Sequence, residues 1–174
     1  MANLEKWQTA VGPYIDSVLF GDDLGGQTGP LMSPDMYRKL YKPYHREMWT
    51  RVKELAPHVK IQLHSCGGIE PLLSDLADAG LDIVNPVQIT CRGMDAQALK
   101  QKHGTRLTLW GGGCDTREVL PHGTPEQVRN HVREQAQILG AGGGFVFQQV
   151  HNILADVPPA NIVAMFDELR TCRT

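Results

Sequence analysis

The sequence predicts an α/β fold built on a parallel sheet, and three observations predict it. Five short apolar runs, each bounded by turn residues, read as strands covered on both faces. Helical patterns lie between them, and most are stopped by glycine. Strand–helix alternation repeated in this way implies right-handed crossovers between parallel strands.

In chain order, Leu4–Ile15 reads as a helix interrupted at Gly12-Pro13. The first strand is Ser17–Gly21. Ser33-Pro34-Asp35 then opens a helix, with a capping serine and proline at the first helical position. Met36, Leu40, Tyr44, Met48 and Val52 follow at helical spacing, with a kink expected at Pro43. The second strand, Val59–His64, precedes a helix over Glu70–Ala79 closed by Gly80. The third, Asp82–Pro86, precedes Met94–His103 closed by Gly104. The fourth, Arg106–Trp110, precedes Thr124–Leu139 closed by Gly140. The fifth, Gly144–Val150, precedes a last helix over Ala160–Thr171, after Pro158-Pro159. Two architectures fit: an open doubly wound sheet, or part of a (β/α)₈ barrel. A complete barrel takes about 250 residues and eight strands, so a barrel of 174 residues would be partial. No linker divides the chain, and residues 1–174 read as one domain.

Composition excludes several classes. Hydrophobic residues make up 41% and the net charge is −2, which excludes a disordered chain. Without a basic surplus, nucleic-acid binding is not expected. No stretch approaches the roughly 20 apolar residues of a membrane span. The opening Met-Ala-Asn-Leu-Glu-Lys-Trp lacks the order of a signal peptide. Cys66, Cys91, Cys114 and Cys172 are too scattered for a disulfide scaffold, so a reducing cytoplasm is the expected setting.

In both architectures the reactive site lies at the carboxyl ends of the strands. There the sequence places acids, thiols, imidazoles and glycines: Gly21-Asp22-Asp23-Leu24-Gly25, His64-Ser65-Cys66-Gly67-Gly68, Asn85-Pro86-Val87-Gln88, Gly111-Gly112-Gly113-Cys114-Asp115 and Gln148-Gln149-Val150-His151-Asn152. His64 and Cys66, two apart on an extended segment, point the same way. A converging imidazole and thiolate suit Zn²⁺; the plainer reading is a packed thiol beside a hydrogen-bonded histidine. A third ligand must come from another loop, and His151 and Cys114 are the candidates. Three ligands with an open position would make a catalytic zinc site, and four a structural one. Gly67-Gly68 would let backbone approach closely. Of Asp22 and Asp23 only one can face the site, and Asp22 is chosen, to bind substrate or exchange a proton; the alternative is a turn acid. Asn85, Gln88 and Gln149 are the remaining substrate-binding candidates. The glycine runs 111–113 and 142–144 match neither the P-loop nor the dinucleotide fingerprint.

Together, Asp22-Asp23-Leu24-Gly25, His64-Ser65-Cys66-Gly67, Asp82-Ile83-Val84-Asn85-Pro86-Val87-Gln88, Trp110-Gly111-Gly112, Gly123-Thr124-Pro125-Glu126-Gln127-Val128 and Val150-His151-Asn152-Ile153 resemble the uroporphyrinogen decarboxylase superfamily. So does Asp156-Val157-Pro158-Pro159-Ala160-Asn161-Ile162. The resemblance is nearest to the branch of methylcobalamin:coenzyme M methyltransferases. It implies a (β/α)₈ barrel, of which this chain matches the C-terminal half. It implies zinc on His64 and Cys66, with a third ligand at or near His151, where the branch often has cysteine. The implied reaction moves a methyl group from methylcobalamin, carried by a corrinoid partner protein, to a thiol or similar acceptor. The superfamily's decarboxylases act instead on tetrapyrrole acetate arms, without metal, using an N-terminal aspartate and arginines outside the matched half; they share the histidine at His151. A non-catalytic module that binds a corrinoid or tetrapyrrole is the third reading. A half barrel leaves sheet edges unpaired, so the chain is expected to pair as a homodimer or with an N-terminal-half partner subunit.

Overall fold

The computed structural model describes residues 2–172. Strands β1 (Ser17–Gly21), β4 (Lys60–His64), β5 (Ile83–Asn85), β6 (Thr108–Trp110) and β7 (Phe145–Val146) form one parallel sheet in the order β1-β4-β5-β6-β7. Each new strand adds on the same side of the last. A doubly wound sheet must reverse direction at a switch point, and this one does not. The structure therefore settles the open choice in favour of a partial barrel.

Right-handed crossovers in one direction put the helices on one face. Val18, Ile61, Leu63, Val84 and Leu109 project from the strands into that layer. There they meet α3 (Lys42–Leu55), α4 (Glu70–Ala79), α5 (Ala96–His103) and α7 (Pro125–Gly140) through Trp49, Leu72, Leu76, Leu99 and Leu139. A second, smaller cluster joins α6 (Val119–His122), α7 and α8 (Pro159–Thr171) around Leu120, Val128, Val132 and Met165. The other sheet face is the barrel interior. At β1 it is open, and Leu19 is 60% exposed.

Local chemistry explains most boundaries. Ser33 Oγ accepts from Met36 N and caps α2 (Pro34–Leu40). Pro43 does more than kink the helix. It lacks the N–H that would continue α2 and clashes with the preceding turn, so α2 ends and α3 restarts with Pro43 in its first turn. Asp95 Oδ1 caps α5 by accepting from Ala98 N, which moves the start from Met94 to Ala96. Thr124 and Gln127 form a reciprocal capping box on α7. Gly140 is the last residue of α7, not its stop. Gly142, Gly143 and Gly144, all at positive φ, make the turn instead, and β7 shrinks to two residues. The first helix stops at Val11 and a 3₁₀ turn follows over Gly12–Tyr14. The sequence reading missed the tiny hairpin β2 (Gly25–Gly26) and β3 (Gly29–Pro30), and also α6.

Candidate functional site

Strand parity builds the site. In register, Gly21 of β1 faces His64 of β4, and His64 faces Asn85 of β5. Val18 belongs to the helix-side core, so Leu19, Gly21 and their partners Gln62 and His64 belong to the inner face. The ladder runs past the strand ends: Asp22 N donates to His64 O, and Ser65 N to Asn85 O. The alternation therefore carries on, turning Asp23 and Cys66 to the inner face.

There the three side chains meet. Ligand atoms of Asp23, His64 and Cys66 all lie within 4.8 Å of one another. His64 Nε2 is 3.6 Å from Cys66 Sγ, and Asp23 Oδ1 accepts from Cys66 N at 2.8 Å. Asn85 orients the imidazole. Its Nδ2 donates to Gln148 Oε1 and to the Trp110 carbonyl, so Oδ1 is the atom left to receive His64 Nδ1 at 2.9 Å. Nδ1 therefore carries the proton, and in the neutral ring the Nε2 lone pair faces Cys66. Burial, and then the Asp23 carboxylate, push the Cys66 thiol above its ordinary value. Without a metal, the thiol is thus protonated at neutral pH.

The loops around this trio are interlocked. Buried Ser65 accepts from Leu24 N through Oγ, pulling the acidic loop over β4. Gly68 N donates to Gly26 O, and Gln88 Oε1 accepts from Gly67 N. A Cβ on Gly67, at φ +90°, would sit 2.4 Å from the Gly25 carbonyl carbon. The backbone that Gly67-Gly68 admits so closely is the β2–β3 hairpin.

The donor set suits zinc. Bonds of about 2.05 Å to nitrogen and about 2.3 Å to sulfur, at a near-tetrahedral angle, place the two donors about 3.6 Å apart. The observed separation is 3.6 Å. A carboxylate as third ligand and an imidazole anchored through its other nitrogen are both ordinary zinc chemistry.

Not every residue singled out from sequence lies here. The sequence favours Asp22 over Asp23, yet Asp22 turns to the helix layer. Its Oδ2 pairs with His45 Nε2 at 2.9 Å, and His45 Nδ1 takes Tyr37 Oη at 3.0 Å. His45 in turn stacks on Trp49, with ring centroids 4.5 Å apart. Asp23 stands where Asp22 was expected, and counting two residues from Gly21 would have found it. His151 is outside the trio; it is exposed and lines a separate cleft with Gln27 and Gln88. Cys114 is fully buried beside Leu120 and Val128, and burial pushes its thiol up to about 12. It is a packed thiol. Asn85 and Gln88 are engaged as supports of His64 and Gly67. Gln149 pairs through its backbone with Cys114, extending the β6–β7 ladder.

Among the described residues no helix is long and apolar enough to cross a membrane. Comparison with known proteins gives a consistent picture. A uroporphyrinogen decarboxylase of Chlorobium luteolum is 34% identical over 134 residues, covering 75% of this chain and 36% of that protein. One from Chlorobaculum parvum is 30% identical over 174 residues, covering 94% and 46%. A methylated-thiol–coenzyme M methyltransferase of Methanosarcina mazei is 32% identical over 133 residues, covering 74% and 31%. The chain thus spans less than half the length of these relatives. A solved methyltransferase from Methanosarcina mazei superposes with a TM-score of 0.69 at 23% identity, over 98% of this chain and 46% of that one, a likeness of fold. The family profile for uroporphyrinogen decarboxylase (URO-D) matches residues 15–172, from just before β1 to the end of the described chain, and to that family this chain belongs.

Proposed function

We propose that this chain carries the metal-binding half of a zinc-dependent methyl-transfer enzyme, which passes a methyl group from a corrinoid on a partner protein to a thiol. One observation carries the reading: Asp23, His64 and Cys66 converge on one point at the barrel mouth. His64 would hold the metal through Nε2, Cys66 through Sγ and Asp23 through a carboxylate oxygen. Asn85 keeps the His64 proton on Nδ1 and so keeps Nε2 available. Ser65, by holding Leu24 N, fixes the loop that presents Asp23. Zinc bound there supplies a Lewis acid that stabilises a substrate thiolate, the nucleophile toward the methyl group. The family match and the Methanosarcina relative support this reading.

A second reading, decarboxylation of a porphyrinogen carboxylate, is favoured equally by the Chlorobium and Chlorobaculum relatives. Elemental analysis separates the two. Near-stoichiometric zinc, falling below about a tenth in Cys66→Ala, is the expected result. Zinc-free protein that binds a porphyrinogen would overturn methyl transfer in favour of decarboxylation.

A further inference from the structure

A buried polar chain leads from the helix layer to the rim. Tyr37, in α2, is fully buried and His45, in α3, is 4% exposed, so neither can touch a substrate. Asp22 Oδ2 lies 2.9 Å from His45 Nε2, and Tyr37 Oη lies 3.0 Å from His45 Nδ1. A carboxylate only accepts, so Nε2–H donates to Asp22. In the neutral ring Nδ1 then accepts, and the tyrosine hydroxyl donates to it. The ring is held by its face as well. It lies on fully buried Trp49 at an interplanar angle of 15°, with centroids 4.5 Å apart. The core therefore sets the geometry of His45, and its Nε2–H is a fixed point presented to the loop after β1.

A polar pair inside an apolar layer needs a reason, because two apolar side chains of similar shape would hold the layer about as well. The reason lies at the end of the chain. Asp22 and Asp23 share a peptide bond and face opposite ways, so anchoring one side chain fixes the direction of the other. Asp22 is held through its backbone too, where N donates to His64 O at 3.0 Å. Asp23 is exposed, and its Oδ1 accepts from Cys66 N. We propose that Tyr37, His45 and Asp22 are positioning residues for the metal site: their hydrogen-bonded chain orients Asp23 toward His64 and Cys66 and so raises the affinity for zinc. This rests on the metal reading above.

Zinc affinity is measured on the 174-residue chain by competition with a chromophoric chelator, and exchange of the Cys66 amide by NMR on the metal-free chain. Asp22→Ala should weaken zinc binding about tenfold, the low end of what is lost when a partner behind a metal ligand is removed. It should also speed Cys66 amide exchange about fivefold, the equivalent of one hydrogen bond of ordinary strength. Asp22→Asn, which keeps an oxygen for His45 Nε2–H, should behave as the parent in both. The double variant Tyr37→Phe/His45→Phe keeps an aromatic ring on Trp49 and removes both buried polar groups. It should unfold in urea near the parent midpoint and still lose zinc as Asp22→Ala does. The Asp22 side chain is 47% exposed, so its variants provide the readout if the double variant does not fold. Parent-like zinc affinity in Asp22→Ala, or in a folded double variant, would overturn the proposal. So would Asp22→Asn behaving as Asp22→Ala, since charge and not orientation would then be at work. The amide readout separates this failure from that of the metal reading. A parent chain that takes up no zinc, with Cys66 exchange still governed by Asp22, keeps the positioning and removes the metal. Zinc held equally well with and without the Asp22 carboxylate does the reverse.

Discussion

The two faces of the sheet differ in kind. The helix side is closed: Trp49 and Tyr37 are fully buried, and Trp49 stacks against His45 and packs beside Phe20. The inner side is open at β1, and its upper rim holds acid, imidazole and thiol in mutual reach. Asp22 and Asp23 divide the faces between them. One ties the rim to the helix layer through His45, and the other joins Cys66. Stability and chemistry are thus separated by strand parity, one residue apart. An open face can carry reactive groups because the closed face already supplies the apolar burial that holds the fold.

The largest break in this contrast comes from the closed side. Trp49→Ala should cost about 3–5 kcal/mol in urea unfolding, since it removes a fully buried aromatic and leaves a cavity. If the loss is under about 1 kcal/mol, the helix layer is not where stability resides.

Acid tests the same side more gently. Burial holds His131 below the ordinary histidine value, partly opposed by Asp115 and Glu134, and its Nε2 accepts from Asp115 N. A folded pKa below the unfolded one means that the unfolded chain binds the proton more readily. Stability is then present above about pH 6.5 and is lost as pH falls through the folded value. The denaturation midpoint should fall between pH 7.5 and about 5.5. His131→Gln, which keeps an acceptor for Asp115 N, should flatten that slope.

The smallest effect is expected on the open side. Leu19→Ser, one residue from buried Val18, should change unfolding free energy by less than about 0.5 kcal/mol, because Leu19 is 60% exposed. A loss comparable to that of Trp49→Ala would mean that the inner face of β1 is covered in solution.

Much of the fold was legible in the sequence. The first strand and the helix Glu70–Ala79 stand at the residues predicted, because turn residues, glycine stops and apolar runs act locally. The hairpin β2–β3 was not legible. Two-residue strands carry no periodicity, and what holds them is a distant backbone, Gly67-Gly68. At the site, the convergence of His64 and Cys66 was readable from their spacing. The acid that joins them, Asp23 where Asp22 was expected, follows from counting two residues on from Gly21 once the register with β4 shows Gly21 on the inner face.

The sequence by itself determined strand–helix alternation, the kinship with uroporphyrinogen decarboxylases and a histidine–cysteine pair on one side of β4, all properties of residues near one another in the chain. Only the tertiary structure decided that the sheet grows in one direction, that Asp23 and not His151 completes the trio, and that Arg117 and His151 line one cleft apart from it. Those outcomes depend on contacts between loops 40 to 90 residues apart, such as Leu24 N to Ser65 Oγ and Arg117 to Gln27. They exist only once parallel pairing has brought the strand ends to one rim, and no local pattern encodes them.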